Sequence, residues 1–174
     1  MIDLKEETIS SKVLCENNFL KWNLLEVKLP DGTTSKRNLI EHPGAAAILP
    51  IFNDGKVLLV KQYRKAIERE TLEIPAGKLD KGEDPMACAK RELEEETGYK
   101  ASKIEYLGKI ATAPGFCNEI IHLYKASGLE KGIKNTDEDE FTENVIISLD
   151  AMKSKIRDGE IIDCKTVSIL AYLL

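Results

Sequence analysis

The run from Gly77 to Tyr99, GKLDKGEDPMACAKRELEEETGY, constrains this chain more than any other stretch. Asp84-Pro85 reads as a helix start: a carboxylate able to cap free backbone N–H groups, then a ring whose fixed φ suits the first turn. Gly98 reads as the stop, since glycine takes the left-handed conformation that closes helices. A helix is therefore predicted roughly from Pro85 to Thr97. On it Glu92, Glu95 and Glu96 stand at i, i+3 and i+4 and share one face. Carboxylates that close repel, and a solvated helix gains nothing from crowding them. A hard divalent cation removes the penalty, because Mg²⁺ prefers oxygen ligands and is held by a few carboxylates plus substrate phosphates. Arg91 can pair with a neighbouring carboxylate and fix its rotamer. A merely charged surface helix leaves Gly77, Glu83 and Arg91, at their spacings, without a reason.

A chain of 174 residues is long enough for one well-packed domain with a small extension. Hydrophobic residues at 43% and charged residues at 32% suit a soluble globular protein. No window approaches the ~18 consecutive apolar residues of a membrane helix, and the opening MIDLKEETIS is polar and acidic, without the pattern of a signal peptide. Cys15, Cys88, Cys117 and Cys164 form no C-x-x-C pair, so they read as reduced thiols of a cytoplasmic protein, mostly small core residues. A net charge of −5 argues against a nucleic-acid surface. It also means that anionic phosphate can approach an acidic site only with bound metal and a few placed arginines.

Along the chain, Trp22–Leu29 and Ser35–Ile40 read as strands around the turn Pro30-Asp31-Gly32. Ala45–Phe52 and Lys56–Tyr63 flank Asn53-Asp54-Gly55, a second hairpin signal. Thr71–Pro75, Ile104–Ile110, Ile120–Ala126 and Val145–Leu149 have strand character. A helix capped by Ser148 closes near Gly159, and a last amphipathic helix starts near Asp163. This order gives an α/β (α+β) architecture: a mixed sheet between helices, preceded by an antiparallel β-region. The expected division is 1–45 for that β-region and 46–174 for the main domain.

The motif resembles the signature of the Nudix hydrolases: glycine, five residues, Glu, seven residues, Arg-Glu, an apolar residue, one residue, Glu-Glu, one residue, Gly, an apolar residue. Gly77, Glu83, Arg91, Glu92, Leu93, Glu95, Glu96 and Gly98 all match, and only the last slot departs, with Tyr99 in place of an aliphatic side chain. The resemblance implies a Nudix fold and a divalent cation, Mg²⁺ or Mn²⁺. Its ligands would be Glu92, Glu96 and the backbone carbonyl of Ala76, with Glu95 as a further ligand or supporting catalytic group. Glu83 would orient the set. The implied reaction is hydrolysis of a nucleoside diphosphate linked to another moiety, with a carboxylate taking the proton of the attacking water. The base is expected in the acidic run Thr136–Glu140, at Glu138 or Glu140, with Asp137 also open. His42 and His122 read as structural.

Within the family, the resemblance points to the ADP-ribose pyrophosphatases. Pro114 stands sixteen residues after Gly98, as in that subfamily, although the chain has Ala-Pro-Gly where Ser-Pro-Gly is frequent. Pro114-Gly115 gives a rigid turn whose backbone can approach a ribose or base. Glu119, Arg37 and Arg64 match substrate-contacting positions, and a planar guanidinium suits phosphate or an adenine face. ADP-ribose, cleaved to AMP and ribose 5-phosphate, or a related nucleoside diphosphate sugar is the expected substrate. NADH, an oxidised nucleotide, or ligand sensing without catalysis are the alternatives. The resemblance also implies a homodimer formed with the N-terminal strands. No nucleic-acid or membrane partner is expected.

Overall fold

Ala45–Pro50 is a six-residue run with no charged side chain, and every one of its residues is buried. An apolar run without alternation needs cover on both faces and a partner on both edges. The computed structural model provides both. It describes residues 3–135 and 141–173 and contains two compact units, Met1–Gly44 with Ala111–Glu119 and Ala45–Ile110 with Ile120–Leu174.

In the first unit, β1 (Glu7–Glu16), β2 (Lys21–Lys28) and β3 (Thr34–Glu41) form an antiparallel sheet in chain order. The Pro30-Asp31-Gly32 turn joins β2 to β3: Gly32 N–H donates to the Leu29 carbonyl at 2.9 Å, and the Asp31 carboxylate accepts from Thr33 N–H at 2.9 Å. The segment 111–119 is hydrogen-bonded to the end of β3, through Ile40 N–H to the Phe116 carbonyl at 2.7 Å and Asn118 N–H to the Ile40 carbonyl at 3.2 Å.

In the second unit, β4 (Ala45–Pro50) lies between β7 (Ala76–Lys78), antiparallel, and β9 (Ile120–Lys131), parallel; β8 (Tyr99–Ala111) completes the order β7-β4-β9-β8. A second sheet has the order β10-β5-β6, with β5 (Lys56–Arg64) between β10 (Glu143–Ser148) and β6 (Arg69–Glu73). Side-chain alternation along β4 divides the core. Ala46 and Ile48 pack with Cys88, Ala89 and Leu93 of α1 (Pro85–Thr97). Ala45, Ala47 and Leu49 face the other way, onto Leu59, Met152 of α2 (Leu149–Arg157) and Ile169, which follows α3 (Cys164–Ser168).

Three expectations are corrected. The Asn53–Gly55 turn forms, with Phe52 N–H bonded to the Lys56 carbonyl at 2.8 Å, but it does not make a hairpin. Beyond one bridge between Ile51 and Val57, the flanking strands enter different sheets. Both are buried apolar runs, and each fills both of its edges elsewhere. The cysteines are not mostly core residues: Cys88 is buried, whereas Cys15 and Cys164 are exposed. The last helix, expected to carry Val167, Ile169, Leu170 and Leu173, stops at Ser168 and gives way to a 3-10 turn over Ile169–Tyr172. Among the described residues no helix is long and apolar enough to cross a membrane.

Candidate active site

The motif helix forms where expected. Asp84 accepts from Met86 N–H and Ala87 N–H, Pro85 opens the first turn, and Gly98 closes the helix at φ 74°, the left-handed region. Leu93, Cys88 and Ala89 bury the inner face against β4, which fixes the rotation of the helix. The glutamates are thereby turned toward β7 and its approach.

Two of them meet the backbone there. The buried Glu96 accepts a hydrogen bond from Ala76 N–H at 3.0 Å. Glu92 lies against Gly77: a Cβ at that glycine would fall 1.7 Å from Glu92 Oε1. Any other residue at position 77 would expel the carboxylate, so this glycine is required by close approach. Glu92, Glu96 and the Ala76 carbonyl are hard oxygen donors of the kind Mg²⁺ or Mn²⁺ accepts, held around one short stretch of chain. Among the described residues no three His, Cys, Asp or Glu side chains form a metal-binding group. Two carboxylates, Glu92 and Glu96, are gathered on the Ala76–Gly77 backbone.

Arg91 ties the rest together. Its Nε and Nη2 grip the Glu83 carboxylate at 3.0 Å each, and its Nη1 donates to Glu92 at 2.6 Å and Glu95 at 2.9 Å. Nη2 also reaches the Lys78 carbonyl at 3.3 Å. The Glu83 hydrogen bond, ahead of the Glu92 charge, holds the guanidinium firmly protonated, and the same bond pulls the Glu83 carboxyl below its usual range. Cys88, beneath this cluster, is pushed up to about 12, first by burial and then by the charges of Glu83 and Glu92. It is an inert thiol.

Glu138 and Glu140 lie outside the described residues. The chain on either side is tied to the C-terminal end of α1. Asn135 N–H donates to the Glu95 carbonyl at 2.9 Å, Asn144 Nδ2 to the Thr97 carbonyl at 2.7 Å, and Lys134 Nζ to the Thr142 carbonyl at 3.0 Å.

Arg64, at the end of β5, does not stand free. Its Nε and Nη2 form a bidentate pair with Glu73 at 2.8 and 2.7 Å. Glu73 also accepts from Thr71 Oγ1 at 2.6 Å and from Lys165 Nζ. Lys165 donates in turn to Asp163 at 3.0 Å, and Asp163 caps α3 through Thr166 N–H. Burial alone would raise the Glu73 carboxyl, yet the Arg64 hydrogen bonds and the Lys165 charge outweigh it and hold the group down at about 2. Burial likewise disfavours the Lys165 charge, and Asp163 and Glu73 reverse that. The sequence reading passed over Glu73 and Lys165. Thr71 and Glu73 share one face of β6, and a paired Thr and Glu beside Ile74 was the available signal.

Arg37, Pro114, Gly115 and Glu119 belong to the first unit. Arg37 pairs with Glu6 through Nε at 3.1 Å and Nη2 at 2.6 Å. Pro114 and Gly115 form the turn that Cys117 N–H closes onto the Ala113 carbonyl at 2.8 Å. Glu119 accepts from Thr112 Oγ1 at 2.7 Å and has His42 Nδ1 at 3.5 Å. His42, read as structural, thus lies beside a candidate substrate residue.

Comparison with known proteins identifies the family. The NUDIX domain family matches residues 41–163, and the chain belongs to that family. The ADP-ribose pyrophosphatase of Bacillus subtilis (strain 168) is 41% identical over 175 residues, covering 99% of this chain and 95% of the relative. The methanol dehydrogenase activator of Bacillus methanolicus is 47% identical over 171 residues, covering 97% and 92%. A crystal structure of an ADP compounds hydrolase superposes with a TM-score of 0.85 at 21% identity, covering 98% of this chain and 94% of that one, and shows the same fold.

Proposed function

We propose that this Nudix pyrophosphohydrolase cleaves ADP-ribose, or a closely related nucleoside diphosphate sugar, at the pyrophosphate bond. Water attacks one phosphorus, the bond to the bridging oxygen breaks, and AMP and ribose 5-phosphate leave. The observation that carries the reading is the placement of Glu92 and Glu96 on the Ala76–Gly77 backbone, with Arg91 restraining Glu83, Glu92 and Glu95. The relative that hydrolyses ADP-ribose by name supports the substrate.

Glu92, Glu96 and the Ala76 carbonyl would hold Mg²⁺ or Mn²⁺. A cation there would screen charge developing on the phosphate oxygens and acidify a nearby water. The chain's own residues do the rest. Arg91 stops the carboxylates from rotating away from one another's charge. Glu138 or Glu140 takes the proton from the attacking water, with Glu95 as the reserve. Arg64, Arg37, Pro114, Gly115 and Glu119 bind the substrate. The protein works in the cytoplasm as a homodimer. Ile9, Val13, Leu14 and Trp22 of the N-terminal sheet are exposed apolar side chains suited to a second copy. Sedimentation showing a monomer at micromolar concentration would overturn the dimer.

The deciding experiment is a panel of ADP-ribose, ADP-glucose, NADH and a nucleoside triphosphate with the products identified. ADP-ribose should be hydrolysed fastest and only with a divalent cation. Preferential cleavage of another member of the panel would replace the substrate. A second reading rests on the methanol dehydrogenase activator: the chain activates a dehydrogenase. Activation of purified methanol dehydrogenase by wild type, and equally by Glu96→Gln, would favour that role over hydrolysis.

A further inference from the structure

The Glu73 network is not part of the motif, yet it is the most buried ionic group among the described residues of the second unit. The Glu73 side chain is 2% exposed and that of Lys165 8%, while Arg64 on the same carboxylate stays 45% exposed. Removing charge from water is costly, and an apolar cluster of the same volume would serve stability as well or better. A stabilising role alone leaves the geometry of Arg64 unexplained. Lys165 is shared between Glu73 and Asp163, so Arg64 balances the charge of the set, but charge balance asks for no bidentate grip. The second cation is bidentate on the same carboxylate, and its side chain lies half in solvent.

A bidentate carboxylate gives direction to a guanidinium. With Nε and Nη2 committed to Glu73, the plane of Arg64 is fixed and its Nη1 amine is turned away from that bond. The remaining contacts fix the carboxylate itself. Thr71 Oγ1 holds one oxygen and Lys165 the other, and Asp163 anchors Lys165 while capping α3. Thr166 Oγ1 accepts from Ile74 N–H at 2.9 Å, which locks α3 to the strand exit that leads to Ala76. Glu73 stands three residues before Ala76, whose N–H donates to Glu96 at 3.0 Å, so the chain that grips Arg64 runs directly into the backbone that meets the motif helix.

We infer that Glu73 and Lys165 are positioning residues, which aim the Arg64 guanidinium so that its outer edge receives a phosphate of a nucleoside diphosphate. The inference rests on the reading of this site as a nucleoside diphosphate site and adds to it the residues that orient its arginine. Unclamped, a long arginine loses rotamer freedom on each binding event; clamped, it has lost that freedom already on folding.

The test is a double-mutant cycle with two readouts, KM for ADP-ribose and the Kd for ADP by calorimetry in Mg²⁺ buffer. Glu73→Gln keeps the shape and releases the grip. It should raise KM and Kd about tenfold while kcat changes little, the loss expected of one charge-assisted hydrogen bond. Thr71→Val, isosteric and folded, should raise both by roughly threefold, by loosening the carboxylate. In an Arg64→Ala background neither substitution should raise KM or Kd further. Equal effects in both backgrounds, or an unchanged Kd in folded Glu73→Gln, would overturn positioning. Should Glu73→Gln fail to fold, Thr71→Val decides by the same criterion. Absence of ADP-ribose turnover by wild type would sink the substrate, not the positioning, which the ADP titration then decides. Failure of wild type to bind ADP would overturn it.

Discussion

The second unit carries two charged knots built on opposite plans. Around Arg91, one guanidinium faces the three carboxylates of Glu83, Glu92 and Glu95, so negative charge is left over, on side chains that water partly reaches. Around Glu73, Arg64 and Lys165 face Glu73 and Asp163, charge is balanced, and the central pair is buried. The first knot is held in shape yet electrostatically incomplete, which is the condition for taking up a divalent cation and a polyphosphate. The second is complete and has nothing left to bind in its centre. Its use is to hold geometry. Incomplete charge marks where chemistry happens, and complete charge marks what keeps the chemistry aligned.

The comparison is tested hardest at Glu96. Glu96→Gln should leave a folded protein and lower kcat by about a thousandfold or more, since the metal is asked for several kcal/mol of charge stabilisation. Chelation with EDTA should do the same to wild type and be reversed by Mg²⁺. Wild-type rates for the variant in saturating Mg²⁺ would break the assignment of the first knot.

Next come the carboxylates of the acidic run. Glu138→Gln or Glu140→Gln should lower kcat by about a hundredfold or more with substrate binding preserved, as expected for a general base. The other of the two should be milder. If both singles and the double keep near-normal kcat, Glu95 becomes the better candidate.

The second knot should show itself in stability. Lys165→Met leaves the Glu73 charge buried with one fewer cation and should cost about 3 kcal/mol, or roughly 6–12 °C in Tm for a chain of this size. Acid should reveal the same group. The folded Glu73 carboxyl at about 2 lies below its ordinary 4.5, so its contribution is present above the ordinary value and is lost as pH falls through the folded one. Denaturant melts between pH 5 and 2 should therefore show a loss on the order of 3 kcal/mol in wild type that Glu73→Gln lacks. Parallel pH curves for the two proteins would contradict the paired burial.

The smallest effect is expected at Glu83. Its partner Arg91 is partly solvated, so Glu83→Gln should change stability by less than about 1 kcal/mol, and added salt should shrink the difference. A large, salt-independent loss would mean that the two knots are alike after all.

Much of the candidate site's geometry was legible because it is local. Asp84, Pro85 and Gly98 delimit α1 by rules that act within one turn, and Glu92, Glu95 and Glu96 share a face by helical period. Of the Arg91 pairs, that with Glu95 follows from the same period, whereas that with Glu83 depends on how the loop before the helix returns to it. The hairpin expectation at Asn53–Gly55 failed because a turn signal states where the chain reverses, not which edge the next strand joins. That choice went to whichever partners covered two buried runs.

Glu73 and Lys165 are ninety-two residues apart, and nothing in either neighbourhood announces the other. The chain's local rules settled the motif helix, its caps, the glycine at 77 and the family to which these belong. The packing of α3 onto β6 settled that a lysine and a glutamate meet in the interior and that Arg64 is gripped rather than free, and the packing of α1 onto β7 settled that Glu92 fills the space a side chain at 77 would take. Periodicity and capping depend on energies between near neighbours. The pairing of distant charges depends on burial, which exists only once the chain has closed around them.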